Sequence, residues 1–193
     1  MKLLGKVGIF INTRKNVLER KGKMTELLKI QDFDQMYAIM EASFPDDEYR
    51  GYEGQRQLFE NPEYKVFIHR NEETKEIDGF LSAWEFDDIL FFEHFAVSSK
   101  VRNGGIGGRM LREVLAKVNK MTCLEVELPE GELEKRRISF YERNGFKRAK
   151  CGISFFGINL EIMCNKGEFR KSEFEKVLTK IKIKGFEPKL YDI

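Results

Sequence analysis

A glycine-rich segment constrains this chain more than any other part of its sequence. Residues 101–109 read Val-Arg-Asn-Gly-Gly-Ile-Gly-Gly-Arg and lie between the apolar run Ile89–Val97 and the amphipathic run Gly108–Asn119. Glycine lets the backbone approach a ligand closely, and free amide groups at a helix N-terminus attract anions. The segment therefore predicts a strand–loop–helix unit that binds phosphate or pyrophosphate through its backbone.

Two common nucleotide-binding motifs do not fit this segment. A P-loop requires Gly-Lys-Ser/Thr after its glycines, and here Gly108 is followed by Arg109 and Met110. A dinucleotide fingerprint that began at Gly105 would have Met110 in place of its third glycine, and that motif belongs to an N-terminal βαβ unit. ATP hydrolysis and dinucleotide binding are therefore disfavoured.

Hydrophobic periodicity indicates an α/β domain with a mixed sheet and helices on both faces. A chain of 193 residues is long enough for one such domain. Ile89–Val97 is apolar at both alternating sets of positions, so we expect a central strand that is covered on both faces. The other expected strands are 26–30, 64–69, 77–86, 123–128, 146–150 and 158–164, and the expected helices are 32–44, 55–60, 108–119, 133–144 and 168–183.

Two motifs together resemble the GNAT acyltransferases, the family related to Gcn-type N-acetyltransferases. Arg102–Gly107 matches the family's pyrophosphate-binding pattern R/Q-x-x-G-x-G/A, and Phe140–Phe146 matches its F-Y-x-x-x-G-F segment. The order of elements agrees from about residue 24 to residue 164. The resemblance implies the GNAT acyl-CoA N-acyltransferase fold. It also implies an acetyl-CoA-dependent N-acetyltransferase that needs no metal and acts on a primary amine by direct attack. A non-catalytic acyl-CoA-binding module or sensor with the same fold is the alternative.

The resemblance further implies where acetyl-CoA would bind. In GNAT proteins the strand before the glycine loop separates from the following parallel strand, and the pantetheine arm pairs with the exposed backbone. The backbone of Phe95–Val97 would take that role here, and the loop amides with the Arg102 side chain would hold the phosphates. The residues implied in cofactor binding are Phe95, Ala96, Val97, Val101, Arg102, Asn103, Gly104, Gly105, Ile106, Gly107 and Gly108.

Amine acylation needs one group that removes a proton from the amine and another that protonates the leaving thiolate. Tyr141 matches the family tyrosine that acts as general acid, and a packing role is the competing interpretation. Glu93 is the expected base, because burial in an apolar strand would raise the pKa of its carboxyl group. Strand alternation would place Glu93 and His94 on opposite faces, so only one of them could face the acceptor. His94, Glu125 and Glu127 are alternative bases, and a core histidine is the competing interpretation of His94.

The loop after the first helix is expected to shape the acceptor site, as it usually does in this family. Its residues Asp46, Asp47, Glu48 and Tyr49 could hold a cationic amine, and a solvated surface loop is the competing interpretation. Residues 24–164 carry 19 basic and 26 acidic side chains, which also favours a cationic acceptor. The sequence leaves open a small amine, an amino acid, a polyamine, an antibiotic or a peptide N-terminus.

The two ends of the chain differ from this acidic body. Residues 1–23 carry seven Lys or Arg side chains against one acid, and they predict either a mobile basic extension or a segment that precedes the true start at Met24. Residues 165–193 predict a C-terminal helical extension, packed on or beside the acetyltransferase domain at 24–164. RNA docking through these basic ends is a third hypothesis, for which steep salt dependence would be the signature.

Composition limits the remaining classes of partner. The formal net charge of +2 argues against general nucleic-acid binding, and no apolar run approaches the ~18 residues that a membrane span needs. The three widely spaced cysteines make no zinc-binding pattern and favour reduced thiols in a cytoplasm. A homodimer is compatible with this sequence.

Overall fold

The computed structural model describes residues 25–102, 104–155, 157–181 and 188–193. The predicted extension at 1–23 and the predicted cofactor ligand Asn103 lie outside the described residues. The helices are α1 (Phe33–Glu41), α2 (Tyr52–Gln57), α3 (Ile106–Lys117), α4 (Glu132–Arg143) and α5 (Lys171–Lys180). The strands are β1 (Glu26–Leu27), β2 (Tyr64–Arg70), β3 (Ile77–Glu85), β4 (Ile89–Val97), β5 (Met121–Glu127), β6 (Lys147–Phe155), β7 (Ile158–Asn165) and β8 (Lys189–Asp192).

The strands form one mixed sheet with the order β1-β2-β3-β4-β5-β7-β6-β8. β4 and β5 run parallel, and the other neighbouring strands are antiparallel. A parallel pair requires a crossover connection, and α3 provides it between β4 and β5. The glycine-rich segment therefore lies at the carboxyl end of a central strand.

Helices cover both faces of the sheet, which confirms the predicted fold class. Apolar residues of α1 and α5 pack in one buried cluster, and we call the side of the sheet that they cover the α1 face. Residues of α3 and α4 pack in a second cluster on the opposite side, the α3 face. β4 is buried from Ile89 to Ala96, as expected for a strand that is apolar on both faces.

Several boundaries differ from the expected ones. α1 ends at Glu41, three residues before the expected end at Phe44, and the chain continues as a turn in which the Phe44 amide donates to the Met40 carbonyl at 3.0 Å. α2 begins at Tyr52, earlier than the expected Gln55. β6 continues to Phe155, beyond the expected end at Lys150. Lys150 has a positive φ of 53°, and the register with β7 is irregular between Arg148 and Gly152. These irregularities interrupt the alternation of side chains, but the strand continues past them.

The C-terminal segment contributes a strand as well as the expected helix. β8 pairs antiparallel with β6, and Tyr191 lies opposite Gly152. The Tyr191 ring packs directly on Gly152, where a Cβ atom would overlap the ring. In the described ranges no helix has both the length and the apolar character that crossing a bilayer demands.

Candidate active site

β4 and β5 separate halfway along their length. Their ladder runs from Ile89 opposite Met121 to Phe92 opposite Leu124 and then stops. Beyond it, Glu93–Val97 keeps its pairing with β3, and Glu125–Glu127 keeps its pairing with β7. The central sheet therefore contains a gap bordered by two strand edges whose backbone groups are not paired with each other, as the family resemblance implied.

A β-bulge sits at the entrance to this gap. Ser82 of β3 lies opposite His94, whereas the next residue, Ala83, lies opposite Phe92. Glu93 is thus the extra residue, and a bulge of this kind changes the alternation of side chains. His94 Nδ1 lies 3.6 Å from Glu93 Oε2, so the prediction that these two side chains occupy opposite faces is wrong.

The glycine-rich segment ends in the first turn of α3. Gly105 caps the helix with a φ of +73°, a conformation that favours glycine. The first hydrogen bond into the helix is donated by the Arg109 amide to the Gly105 carbonyl. The amide groups of Ile106, Gly107 and Gly108 lie in the first turn, where a helix has no internal acceptor for them. This turn is a suitable site for an anion.

Two of the implied cofactor ligands have internal partners. The Val101 amide donates to the Ser98 carbonyl at 3.1 Å. Arg102 Nε donates to the Val97 carbonyl at 3.1 Å, which folds the Arg102 side chain back onto the end of β4. The loop and the exposed edge of β4 are therefore one continuous surface.

Glu93 forms a buried ion pair with a residue that sequence reasoning missed. Arg50, in the loop between α1 and α2, places Nη1 2.9 Å from Glu93 Oε1, and the Glu93 side chain is 0% exposed. Burial alone would raise the pKa of Glu93, but attraction to Arg50 and contacts with His94 outweigh it and lower that pKa to about 2. The expectation of a raised pKa at Glu93 is therefore wrong.

Glu125 is the carboxyl group that has the raised pKa. It is the first β5 residue beyond the ladder and lies two residues after Cys123, whose side chain packs on the α1 face. It is buried, and its Oε1 atom has no hydrogen-bond partner among the described residues. Burial and then repulsion from Glu93 raise its pKa to about 8. The gap is therefore flanked by one ionised and one largely protonated carboxyl group at neutral pH.

Tyr141 lies on the other side of the sheet. It packs in the cluster of the α3 face, between the rings of Phe140 and Phe146 at 5.2 and 5.6 Å. Its hydroxyl is fully buried and has no hydrogen-bond partner among the described residues. Burial raises the pKa of this hydroxyl, and Arg137 one turn earlier opposes the shift. Arg137 itself forms an ion pair with Glu127 at the end of β5.

The predicted acceptor residues are divided between solvent and the interior. Asp46 and Asp47 are exposed, whereas Tyr49 is buried and donates to Asp46 Oδ1 at 3.1 Å. The Glu48 carbonyl lies 3.1 Å from His94 Nε2. The loop therefore contacts the bulge through the Glu48 carbonyl and the Arg50 side chain. Its acidic residues Asp46 and Asp47 are exposed to solvent.

Behind the bulge lies a second buried polar pair that the sequence did not reveal. Gln55 of α2 donates to the Tyr64 hydroxyl at 2.6 Å, and both residues are buried. Tyr64 also interacts electrostatically with Glu93 and Arg50. No pattern in the sequence distinguishes Gln55 from a surface residue of a short helix. Among the described residues, no group of three or more His, Cys, Asp or Glu side chains is arranged to hold a metal ion.

Comparisons with known proteins agree with this geometry. Residues 62–148 match the family model of the acetyltransferase (GNAT) domain. YjbC of Bacillus subtilis (strain 168), which is named as an acetyltransferase, is 38% identical over 68 residues, which are 34% of this chain and 35% of YjbC. The chain therefore matches about a third of the length of that curated relative.

Two solved structures show the same architecture. A GNAT-family acetyltransferase from Bacteroides thetaiotaomicron superposes with a TM-score of 0.68 at 26% identity, covering 81% of this chain and 94% of that one. An aminoglycoside 6′-N-acetyltransferase complexed with coenzyme A superposes with a TM-score of 0.58 at 15% identity, covering 74% and 96%. Residues 62–148 therefore resemble the GNAT acetyltransferase domain, and the architecture that surrounds them is that of GNAT acetyltransferase structures.

Proposed function

We propose that this protein is an acetyl-CoA-dependent N-acetyltransferase that transfers an acetyl group to a primary amine by direct attack. The observation that carries the proposal is the gap between β4 and β5, which runs into the first turn of α3 and has titratable groups on both faces. The relative solved with coenzyme A has the same fold and supports this assignment. The acceptor would enter from the α1 face, and the thioester would approach from the α3 face.

The residues bordering the gap fit an acyl-CoA. The edge of Phe95–Val97 offers backbone groups to an extended amide-containing arm, and the amides of Ile106, Gly107 and Gly108 offer donors to a pyrophosphate. Bound acetyl-CoA supplies an acetyl group activated as a thioester. A backbone amide of β4 directed at the developing oxyanion would lower the barrier by about 3 kcal/mol. Arg102 would hold the loop against the end of β4.

The two carboxyl groups take different roles in this proposal. With a pKa lowered to about 2, Glu93 stays ionised and is a weak base, so it attracts the acceptor ammonium but does not retain its proton. Glu125, with a pKa raised to about 8, would accept that proton in its ionised form, which is the minor form at neutral pH and becomes the major form above pH 8. The base is therefore assigned to Glu125, one of the alternatives of the sequence analysis.

Tyr141 would protonate the leaving thiolate. Its hydroxyl stays protonated at neutral pH because burial raises its pKa, and it donates to no acceptor among the described residues. A buried hydroxyl without a partner is costly, which supports a function beyond packing. Tyr141 on the α3 face and Glu125 on the α1 face would act on opposite sides of the reacting thioester.

A calorimetric titration with acetyl-CoA tests the proposal. Gly107→Glu places a carboxylate in the first turn of α3, and its Cβ atom would make ordinary van der Waals contacts with Val97, Phe95 and Phe140. We expect binding to weaken at least about tenfold, because the added charge opposes the phosphates at the helix N-terminus. Ser172→Glu is the matched control, since it adds the same charge at an exposed position of α5.

A panel of primary amines that reports released coenzyme A follows this titration. Release of coenzyme A with any amine, if Glu125→Gln abolishes it, would support the assignment of the protein as an N-acetyltransferase. Binding of acetyl-CoA without release on any amine would favour the non-catalytic binding module instead. Absence of binding by the native protein would remove the basis of both interpretations.

A further inference from the structure

The loop between α1 and α2 is attached to the β4 bulge at two points. Arg50 Nη1 lies 2.9 Å from Glu93 Oε1, and the Glu48 carbonyl lies 3.1 Å from His94 Nε2. The ring of Phe44, from the same loop, packs edge-on against the His94 ring at 5.1 Å. Both residues of the bulge are thus in contact with this loop on the α1 face.

The Arg50 guanidinium balances the charge of Glu93. The Glu93 side chain is 0% exposed and that of Arg50 is 18% exposed. Glu125, the neighbouring carboxyl group, supplies no positive charge. Removing one member of a buried ion pair leaves a desolvated charge without compensation. A cation that takes the place of Arg50 on Oε1 avoids that cost, whereas His94 Nδ1 faces the other carboxylate oxygen, Oε2, at 3.6 Å.

We infer that Arg50 occupies the position of the acceptor ammonium, and that the two cations exchange on Glu93 when the acceptor enters. This inference rests on the proposed function. The α1–α2 loop is closed while Arg50 holds Glu93 and is released when an ammonium ion replaces it. The acceptor is thus selected as a primary ammonium that donates a hydrogen bond to Glu93 Oε1, and one of its protons then passes to the ionised form of Glu125, leaving the neutral amine.

Binding of n-propylammonium, measured without acetyl-CoA, tests the exchange. Arg50→Ala vacates the position, so we expect this variant to bind n-propylammonium at least about tenfold more tightly than the native protein. In the native protein, saturating n-propylammonium should accelerate amide hydrogen exchange in residues 45–51. Tetramethylammonium, which carries the charge but has no N–H donor, should show neither effect.

Arg56→Ala is the matched control. Arg56 lies in α2, one turn beyond the loop, and packs over the ring of Phe33 at 5.7 Å. The Arg56→Ala variant should bind n-propylammonium as tightly as the native protein does, and amide hydrogen exchange in residues 45–51 should stay at its native rate. The double variant Arg50→Ala/Glu93→Gln should lose the gain, because the carboxylate that receives the ammonium is gone. Equal binding by Arg50→Ala and Arg56→Ala, or a gain that persists in the double variant, would overturn the inference.

The double variant also covers a failure of Arg50→Ala to fold, since it leaves no uncompensated buried charge. Its folded state is checked through Trp84, the one tryptophan of the sequence, which is buried against Tyr64 at 5.1 Å. If this folded variant exchanges residues 45–51 at the native rate, Arg50 does not hold the loop and the inference fails. These measurements need no acetyl transfer, so a failure of the proposed function would appear separately, in the amine panel.

Discussion

Glu125 links the chemistry of the site to the stability of the protein. Its pKa is about 8 in the folded state against an ordinary value of 4.5, so the folded protein holds this proton more tightly than the unfolded chain does. The resulting stabilisation is complete below about pH 4.5 and is lost as the pH rises through 8. Glu93 behaves in the opposite sense, because its lowered pKa gives a stabilisation that is lost only as the pH falls towards 2.

The free energy of unfolding should therefore fall between pH 5 and pH 8.5 in the native protein and fall less in Glu125→Gln. The amide of that variant stays neutral throughout the range. We expect the free energy of unfolding to fall over this interval by at least about 1 kcal/mol more in the native protein than in Glu125→Gln, measured by urea denaturation. Glu130→Gln is the control. Glu130 is exposed and lies in the connection between β5 and α4, so this variant should follow the native curve. Parallel curves for the native protein and Glu125→Gln would show that Glu125 is not protonated in the folded state.

The sequence identified both carboxyl groups but not which one would have the raised pKa. That depends on Arg50, which lies 43 residues from Glu93 in the chain. Alternation along β4 also failed at His94, because the bulge at Glu93 is a feature of the register with β3, which the residues of β4 alone do not reveal. Tyr141 could be proposed from the sequence because its motif is local and the helix that carries it is amphipathic.

At the scale of elements, the packing of the C-terminal strand β8 on β6 depends on a glycine, Gly152. Gly152 of β6 lies opposite Tyr191 and lets the Tyr191 ring pack on the backbone. β8 has four residues and is half exposed, so nothing in its sequence distinguishes it from a tail. The helix before it was predictable from the apolar spacing of Phe174, Val177 and Leu178, which are buried.

Gly152→Val should displace β8 from the sheet. Its side chain would overlap the Tyr191 ring, and a strand of four residues makes too few contacts to absorb the displacement. We expect faster hydrogen exchange in residues 189–192 and a destabilisation of about 1–3 kcal/mol. Adding Tyr191→Gly should restore slow exchange in residues 189–192 if β8 docks again. Asn159→Val, at an exposed position of β7, tests for a general effect of altering the β6–β7 hairpin. Unchanged exchange in Gly152→Val would show that β8 does not pack on Gly152 in solution.

At the scale of the molecule, the sheet consists of two halves joined by a short ladder. β1–β4 and β5–β8 share four residue pairs, from Ile89 opposite Met121 to Phe92 opposite Leu124. The alternation of strands and helices was enough to predict the mixed sheet and its covered faces. The separation of β4 and β5 was not readable from the residues alone, because nothing in the residues beyond Phe92 and Leu124 distinguishes a strand edge that lacks a partner from a paired one. The family resemblance supplied that feature.

A ligand that fills the gap should join the two halves, and this distinguishes acetyl-CoA from an anion bound at the loop alone. If the arm of acetyl-CoA lies along Phe95–Val97, hydrogen exchange should slow in that edge of β4 as well as in Gly107 and Gly108. β6 and β8 are far from the gap in the sheet order, so hydrogen exchange in these strands should slow only through the global stabilisation of the protein. That stabilisation is about 2.7 kcal/mol at a concentration of 100 times the Kd. Pyrophosphate should protect the loop without protecting β4, and Gly107→Glu should lose both effects at equal ligand concentration. Protection of the loop but not of Phe95–Val97 by acetyl-CoA would place the arm outside the gap and exclude attack across it.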